Sequence, residues 1–166
     1  TQLSIIDKYP EYIFGASQPQ HYQFMKDQYP EIYAKIKEAV KSGNWEVQGG
    51  MWVEADCNLI SGESMVRQLL HGKNFFKDEF DIVVDNLWLP DVFGYSAALP
   101  QILKRAGVNY FLTQKLSWSQ FNDFPHQTFN WRGIDGTEIL THFPPENTYN
   151  SELDTEFLLP LSLIHI

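Results

Sequence analysis

Between residues 82 and 107 the chain passes from an apolar run to a lone carboxylate and then to a helix-like pattern, and no other stretch restricts its fold so tightly. Ile82, Val83, Val84, Leu87, Trp88 and Leu89 make a mostly apolar run of strand length. Pro90 has no N–H to give a sheet ladder, so a strand over 82–89 ends there. Asp91 then leaves the sheet at its carboxyl edge. Gly94 permits a sharp turn, Ser96 is a favoured N-cap, Pro100 fits a first helical turn, and Gly107 suits the left-handed residue that closes a helix. In open α/β sheets and β/α barrels alike, binding and catalytic groups gather at the carboxyl ends of strands, which makes Asp91 a site candidate. The spacing is also satisfied by a solvated loop carboxylate or a helix-capping one.

The same alternation recurs on both sides. Tyr12–Phe14 reads as a short strand closed by Gly15-Ala16-Ser17, and His21–Gln28 as a helix with Tyr22 and Met25 on one face. Pro30 opens a second helix, with Ile32 or Tyr33, Ile36 and Val40 at helical spacing and Gly43 as its stop. Trp45–Gln48 alternates like a strand and ends at Gly49-Gly50, where the backbone needs positive φ or close approach. The segment 52–58 carries Glu54 and Asp56, at the Asp91 edge if the strands are parallel and ordinary loop acids otherwise. Ser61 caps a helix whose buried stripe is Met65, Leu69, Phe76 and Phe80; Gly72 is its weak point, and His71 is structural. Val108–Thr113 is a further strand, with Gln114, Lys115 and Trp118 just past its end. Residues 127–143 read as a hairpin bending at Gly133-Ile134-Asp135-Gly136, followed by His142 in a structural or supporting place. Strands near 12–14, 45–48, 82–89 and 108–113, alternating with helices through right-handed crossovers, predict a parallel α/β layer or partial barrel.

Composition removes some classes of function. The formal net charge is −9, and the 12 Lys and Arg form no strong cluster, which disfavours a nucleic-acid partner. No apolar run reaches membrane-spanning length. The single Cys57 excludes an internal disulfide and suits a reducing compartment.

The stretch Leu89-Pro-Asp-Val-Phe-Gly-Tyr-Ser-Ala-Ala-Leu-Pro-Gln-Ile102 resembles the nucleophile motif of the glycoside hydrolase family 38 α-mannosidases, particularly their cytosolic and bacterial branch. Gly49-Gly50-Met51-Trp52-Val53-Glu54-Ala55-Asp56, Ser61-Gly62-Glu63-Ser64, residues 111–118 and Thr141-His142-Phe143-Pro144-Pro145 fall in family order, so the resemblance covers roughly residues 1–150. It implies an α/β fold, a partial irregular parallel β/α barrel truncated at both ends. Residues 1–156 would belong to the N-terminal catalytic domain, whereas 157–166 depart from relatives and read as a non-native tail. It implies a retaining α-mannosidase that hydrolyses terminal α-linked mannose from oligosaccharides or glycans through a covalent mannosyl-aspartate, in the cytoplasm. By the same resemblance Asp91 is the nucleophile and a metal ligand. Trp52, Asp56, Phe93, Lys115 and Tyr149 contact substrate, with Lys115 standing where some relatives carry Arg. The implied cofactor is a divalent metal, zinc first and cobalt as the alternative. Its other ligands, a His-x-Asp pair and a further His, lie outside this chain, as does the acid/base aspartate, so the stretch alone should be inactive. Two other readings stay open: a metal-dependent polysaccharide deacetylase, and a non-catalytic sugar-binding remnant.

Overall fold

The parallel register of β3 (Asn86–Leu89) and β4 (Tyr110–Thr113) sets the architecture, pairing Asn86 with Tyr110 and Leu89 with Thr113. On the far side of β4 lies β6 (Glu138–His142), also parallel, and β5 (Thr128–Arg132) closes an antiparallel hairpin on it, giving the order β3-β4-β6-β5. A second parallel pair joins β1 (Phe14–Ala16) to β2 (Trp45–Val47). These features come from a computed structural model that describes residues 1–144, 148 and 150. The helices are α1 (Gln2–Lys8), α2 (Pro19–Gln28), α3 (Pro30–Ser42), α4 (Gly62–Phe80) and α5 (Leu99–Arg105). The two sheets meet through one side chain rather than a ladder. Asn86 Oδ1 accepts from Gly49 N–H at 2.8 Å while its Nδ2 donates to Gln48 Oε1 at 2.6 Å, so β2 lies beside β3 as the next stave of an open barrel.

The expected parallel strands are thus present, with shifted bounds. The first begins at Phe14, because Asn44 Nδ2 donates to the carbonyls of Pro10 and Tyr12 and holds that segment outside the ladder. The apolar run 82–89 pairs only from Asn86. Its first half turns back under α4, which ends at Asp81 with φ of 57°, and delivers Val84 to the core. Ser96 is not the N-cap of α5; that place is taken by Ala98, and Ser96 closes the preceding turn, its Oγ accepting from Ala98 N–H and its carbonyl from Leu99 N–H. Ser61 does cap α4, accepting from Ser64 N–H at 3.2 Å. The 127–143 hairpin also does more than turn, since β6 supplies another parallel strand.

One core cluster lies between the β3-β4-β6 face and α4 and α5, where Leu87, Leu89, Phe111 and Ile139 meet Met65, Leu69, Leu99 and Leu103. A second gathers Tyr22, Tyr33, Ile36, Val47, Phe76 and Val84, with Phe80 half-buried at its margin. Helix α4 serves both. Strand alternation sends Trp88, Tyr110 and Leu140 to the opposite face, where they stay exposed. Gly72 is no weak point. A Cβ there would stand 2.7 Å from Met51 C and 2.8 Å from Trp52 N, so its absence lets α4 touch the 50–52 backbone. Among the described residues no helix is long and apolar enough to cross a membrane.

Candidate active site

The β3-β4 register places two charges side by side. Leu89 pairs with Thr113, and two residues past each strand end come Asp91 and Lys115. Lys115 Nζ donates to Asp91 Oδ1 at 2.8 Å. The two ends of this ion pair are unequally buried: the Lys115 side chain is 5% exposed and that of Asp91 55%. A buried ammonium needs compensation, and two rings add to the carboxylate, with Nζ 3.3 Å from the Trp118 ring centre and 4.8 Å from that of Phe93. A single 3₁₀ turn over Lys115–Ser117 brings Trp118 back, its N–H donating to Lys115 O at 3.1 Å. Below them the Tyr95 hydroxyl donates to Leu89 O and shares a 2.7 Å hydrogen bond with Thr113 Oγ1, tying the two strand ends together. Burial pushes that phenol well above its usual range, so it stays a neutral strut.

The 50–54 loop adds a second carboxylate. Trp52 N–H donates to the Gln68 carbonyl and Val53 N–H to Gln68 Oε1, both at 3.0 Å, which staples the loop onto α4 where Gly72 makes room. On its other side Trp52 Nε1 donates to Gln20 Oε1 at 2.8 Å, and Gln20 N–H to Trp52 O. Gln18, left-handed at φ 62°, grips Glu54 twice: its Oε1 accepts from Glu54 N–H, and its Nε2 donates to Glu54 Oε1 at 3.3 Å. Ser17 Oγ also donates to Oε1, at 3.4 Å. Half-burial raises the Glu54 pKa, the Asp91 charge adds to the rise, and Ser17, His21 and Gln18 work against it.

Of the residues expected in the site, Asp91, Phe93 and Lys115 are therefore together. Trp52 and Asp56 make no hydrogen bond, ion pair or ring contact with them. Trp52 packs edge-on against Phe75, with ring centres 5.6 Å apart, and borders a groove along α4 beside Gln68 and His71. Asp56 turns back on its own loop, where Oδ1 accepts from the N–H groups of Asn58 and Leu59 at 2.8 and 2.7 Å. The carboxylate near Asp91 is Glu54, two residues earlier. Tyr149 and the 157–166 tail lie outside the described residues. His142 shares a 2.8 Å hydrogen bond with Thr128 across the hairpin, in keeping with a structural place. Among the described residues no three His, Cys, Asp or Glu side chains stand close enough to hold a metal ion, so these residues alone do not fit one.

Residues 1–160 match the Glycosyl hydrolases family 38 N-terminal domain. The chain belongs to glycosyl hydrolase family 38. Similar proteins include alpha-mannosidase G of Dictyostelium discoideum, 53% identical over 94% of this chain, and human alpha-mannosidase 2C1, 49% identical over 96%. The chain spans 14% and 15% of their lengths. Among solved structures an alpha-mannosidase from Enterococcus faecalis V583 superposes on 98% of the chain with a TM-score of 0.73 at 22% identity, and the chain covers 19% of it. A polysaccharide deacetylase from Mycobacterium smegmatis superposes on 86% of the chain, which covers 44% of it, with a TM-score of 0.58 at 13% identity. Likenesses at that identity show the fold alone. Membership in family 38, as the wording of 89–102 implies, rests on the sequence matches.

Proposed function

We propose that this chain is part of the catalytic domain of a retaining α-mannosidase that removes terminal α-linked mannose from oligosaccharides or glycans. One observation carries the reading: Asp91 stands at the carboxyl edge with one oxygen on a buried ammonium and over half its side chain open to a ligand. A retaining glycosidase attacks the anomeric carbon with such a carboxylate, forming a glycosyl-enzyme ester as the aglycone oxygen leaves with a proton from a second carboxyl group about 5–5.5 Å away. Water then attacks the same carbon, giving its proton to that second group and releasing Asp91. Lys115 fixes the attacking carboxylate, and the exposed rings of Phe93 and Trp118 offer apolar faces to a sugar.

Relatives named alpha-mannosidase support this substrate class over deacetylation, for which fold likeness is the only support. Metal dependence is general in the family, and the resemblance makes Asp91 a zinc ligand. Among the described residues no group of three His, Cys, Asp or Glu side chains could hold such an ion, so its other ligands, by resemblance, would come from elsewhere. The acid/base group, by resemblance, also lies elsewhere in the polypeptide, so the stretch alone should not turn over. Buried Cys57, whose thiol donates to Ala55 O, suits a cytoplasmic setting.

The test is mass spectrometry of the full-length protein after incubation with a fluorinated α-mannosyl fluoride. The expected result is a mannosyl adduct on the peptide spanning Asp91. In Asp91→Asn the adduct should vanish and turnover should fall on the order of 10³-fold or more. An adduct on another peptide, with activity retained in Asp91→Asn, overturns the assignment.

A further inference from the structure

Three carboxylates in this fold show three fates. Glu79 is saturated, receiving Lys26 at 2.6 Å, Lys37 at 3.0 Å and the Tyr33 hydroxyl at 2.8 Å. Asp56 spends its Oδ1 on two backbone N–H groups of its own turn. Glu54 is held through one oxygen only. It is half-buried, yet only the neutral donors of Ser17 and Gln18 reach it, at 3.4 and 3.3 Å and on the same oxygen. Oε2 has no hydrogen-bond partner among the described residues. Long contacts from neutral donors compensate a half-buried carboxylate less than the two lysines that reach Glu79.

The groups that hold it are themselves costly. Gln18 adopts left-handed backbone geometry, rare for a residue with a β-carbon, and from there its amide clamps both the N–H and Oε1 of Glu54. Gln68 and the missing β-carbon of Gly72 fix the loop from the opposite side. The loop that carries Glu54 runs beside the one that follows β3, with Cys57 bridged to Tyr95 in parallel register and Asn58 Nδ2 donating to Phe93 O at 2.8 Å, and the Asp91 charge acts on Glu54. Three βα junctions therefore converge on one place: Ser17 and Gln18 after β1, Glu54 after β2, Asp91 after β3.

We propose that Glu54 is a specificity-determining residue of the Asp91 site, its open oxygen accepting a hydrogen bond from one hydroxyl of the sugar ring that Asp91 attacks. This rests on the mannosidase reading above. A second carboxylate beside Asp91 repels an anionic ligand, whereas a neutral polyol brings the donors that Glu54 lacks. The hydrogen bond orients the ring as well as holding it, so its loss should lower kcat/KM by about 10- to 100-fold, the span of a hydrogen bond to a charged group.

The experiment measures kcat/KM of the full-length protein and of Glu54→Gln, Glu54→Ala and Gln18→Ala with aryl α-mannosides lacking one ring hydroxyl at a time. Adduct formation on Asp91 and thermal unfolding are followed in parallel. For one hydroxyl the losses should fail to add: its removal should cost the wild type about 10-fold or more and Glu54→Ala almost nothing further, with Gln18→Ala showing the same pattern more weakly. Losses that add at every hydroxyl, or unchanged kcat/KM in Glu54→Ala, overturn the proposal while the Asp91 adduct persists. If the wild type gives no adduct on Asp91, the mannosidase reading falls first and this one with it.

Discussion

Replacing Gly72 by Ala separates two accounts of α4 because they differ in sign. Helix propensity alone makes the change stabilising by about 1 kcal/mol, since Ala has less backbone freedom to lose. The structure opposes it. The new β-carbon would meet Met51 C at 2.7 Å and Trp52 N at 2.8 Å, and the Gly50 carbonyl oxygen more closely still. All three are backbone atoms, so helix and loop must part by roughly 1 Å to bring even the closest to ordinary contact, an overpacking that costs about 1–3 kcal/mol. Parting them stretches the bonds from Trp52 N–H and Val53 N–H to Gln68, each worth about 0.5–1.5 kcal/mol. The balance is destabilising by about 2–3 kcal/mol after the propensity gain is subtracted. Hydrogen exchange read by mass spectrometry on peptides spanning 50–56 reports this locally, independently of global unfolding. Expected are faster exchange at Trp52 and Val53, a lower melting temperature, and reduced kcat/KM through displacement of Glu54. Slower exchange with a higher melting temperature would refute the close-approach argument.

Lys115→Met keeps most of the apolar stem but removes the charge that faces Asp91, and is expected to slow formation of the Asp91 adduct about 10- to 100-fold; an unchanged labelling rate would show the ion pair to be incidental. Glu79 is held down to about 2 because the hydrogen bonds from Lys26, Lys37 and Tyr33 together outweigh the upward push of burial. A folded-state pKa below the usual 4.5 contributes stability that is present above 4.5 and lost as pH falls toward 2. With its lysines partly screened by solvent, Glu79→Gln should cost about 1–2 kcal/mol near neutral pH, a gap that melting curves should show closing across that acid window. A gap that widens on acidification would contradict the assignment.

The parallel strands and the carboxyl-edge position of Asp91 were legible because they follow from local chemistry. Pro90 ends a strand whatever surrounds it, and an apolar run before it with a helix after it leaves Asp91 at the edge. The half of that run which does not pair was not legible, since Ile82 and Val84 serve a core built with α2 and α3 rather than a ladder. Gly72 misled for the same reason: propensity weighs a helix in isolation, and the partner that needs the missing β-carbon is some twenty residues away in sequence. Where Glu54 and Asp56 each point turned on contacts such as the grip of Gln18, whose left-handed turn has no local signature. In a loop, spacing of two does not assign faces as it does in a strand, so alternation could not have separated them.

The unequal burial of Asp91 and Lys115 follows from where each chain leaves the sheet. Strand β4 is flanked on both sides, by β3 and β6, and the 3₁₀ turn after it folds Trp118 back over Nζ, so the cation is enclosed. Strand β3 has a ladder only toward β4 and meets β2 through the Asn86 side chain, which leaves the loop after it less covered. A fixed cation with a half-open anion suits a nucleophile better than the reverse. On the reading proposed above, the attacking carboxylate is aimed through the oxygen that Lys115 holds, and its charge starts beside a partner that need not move. Exchange of the two residues, Asp91→Lys with Lys115→Asp, would preserve the pair and its net charge but bury the carboxylate. The adduct should then be lost even if the melting temperature is kept, because the attacking oxygen would no longer face the open edge.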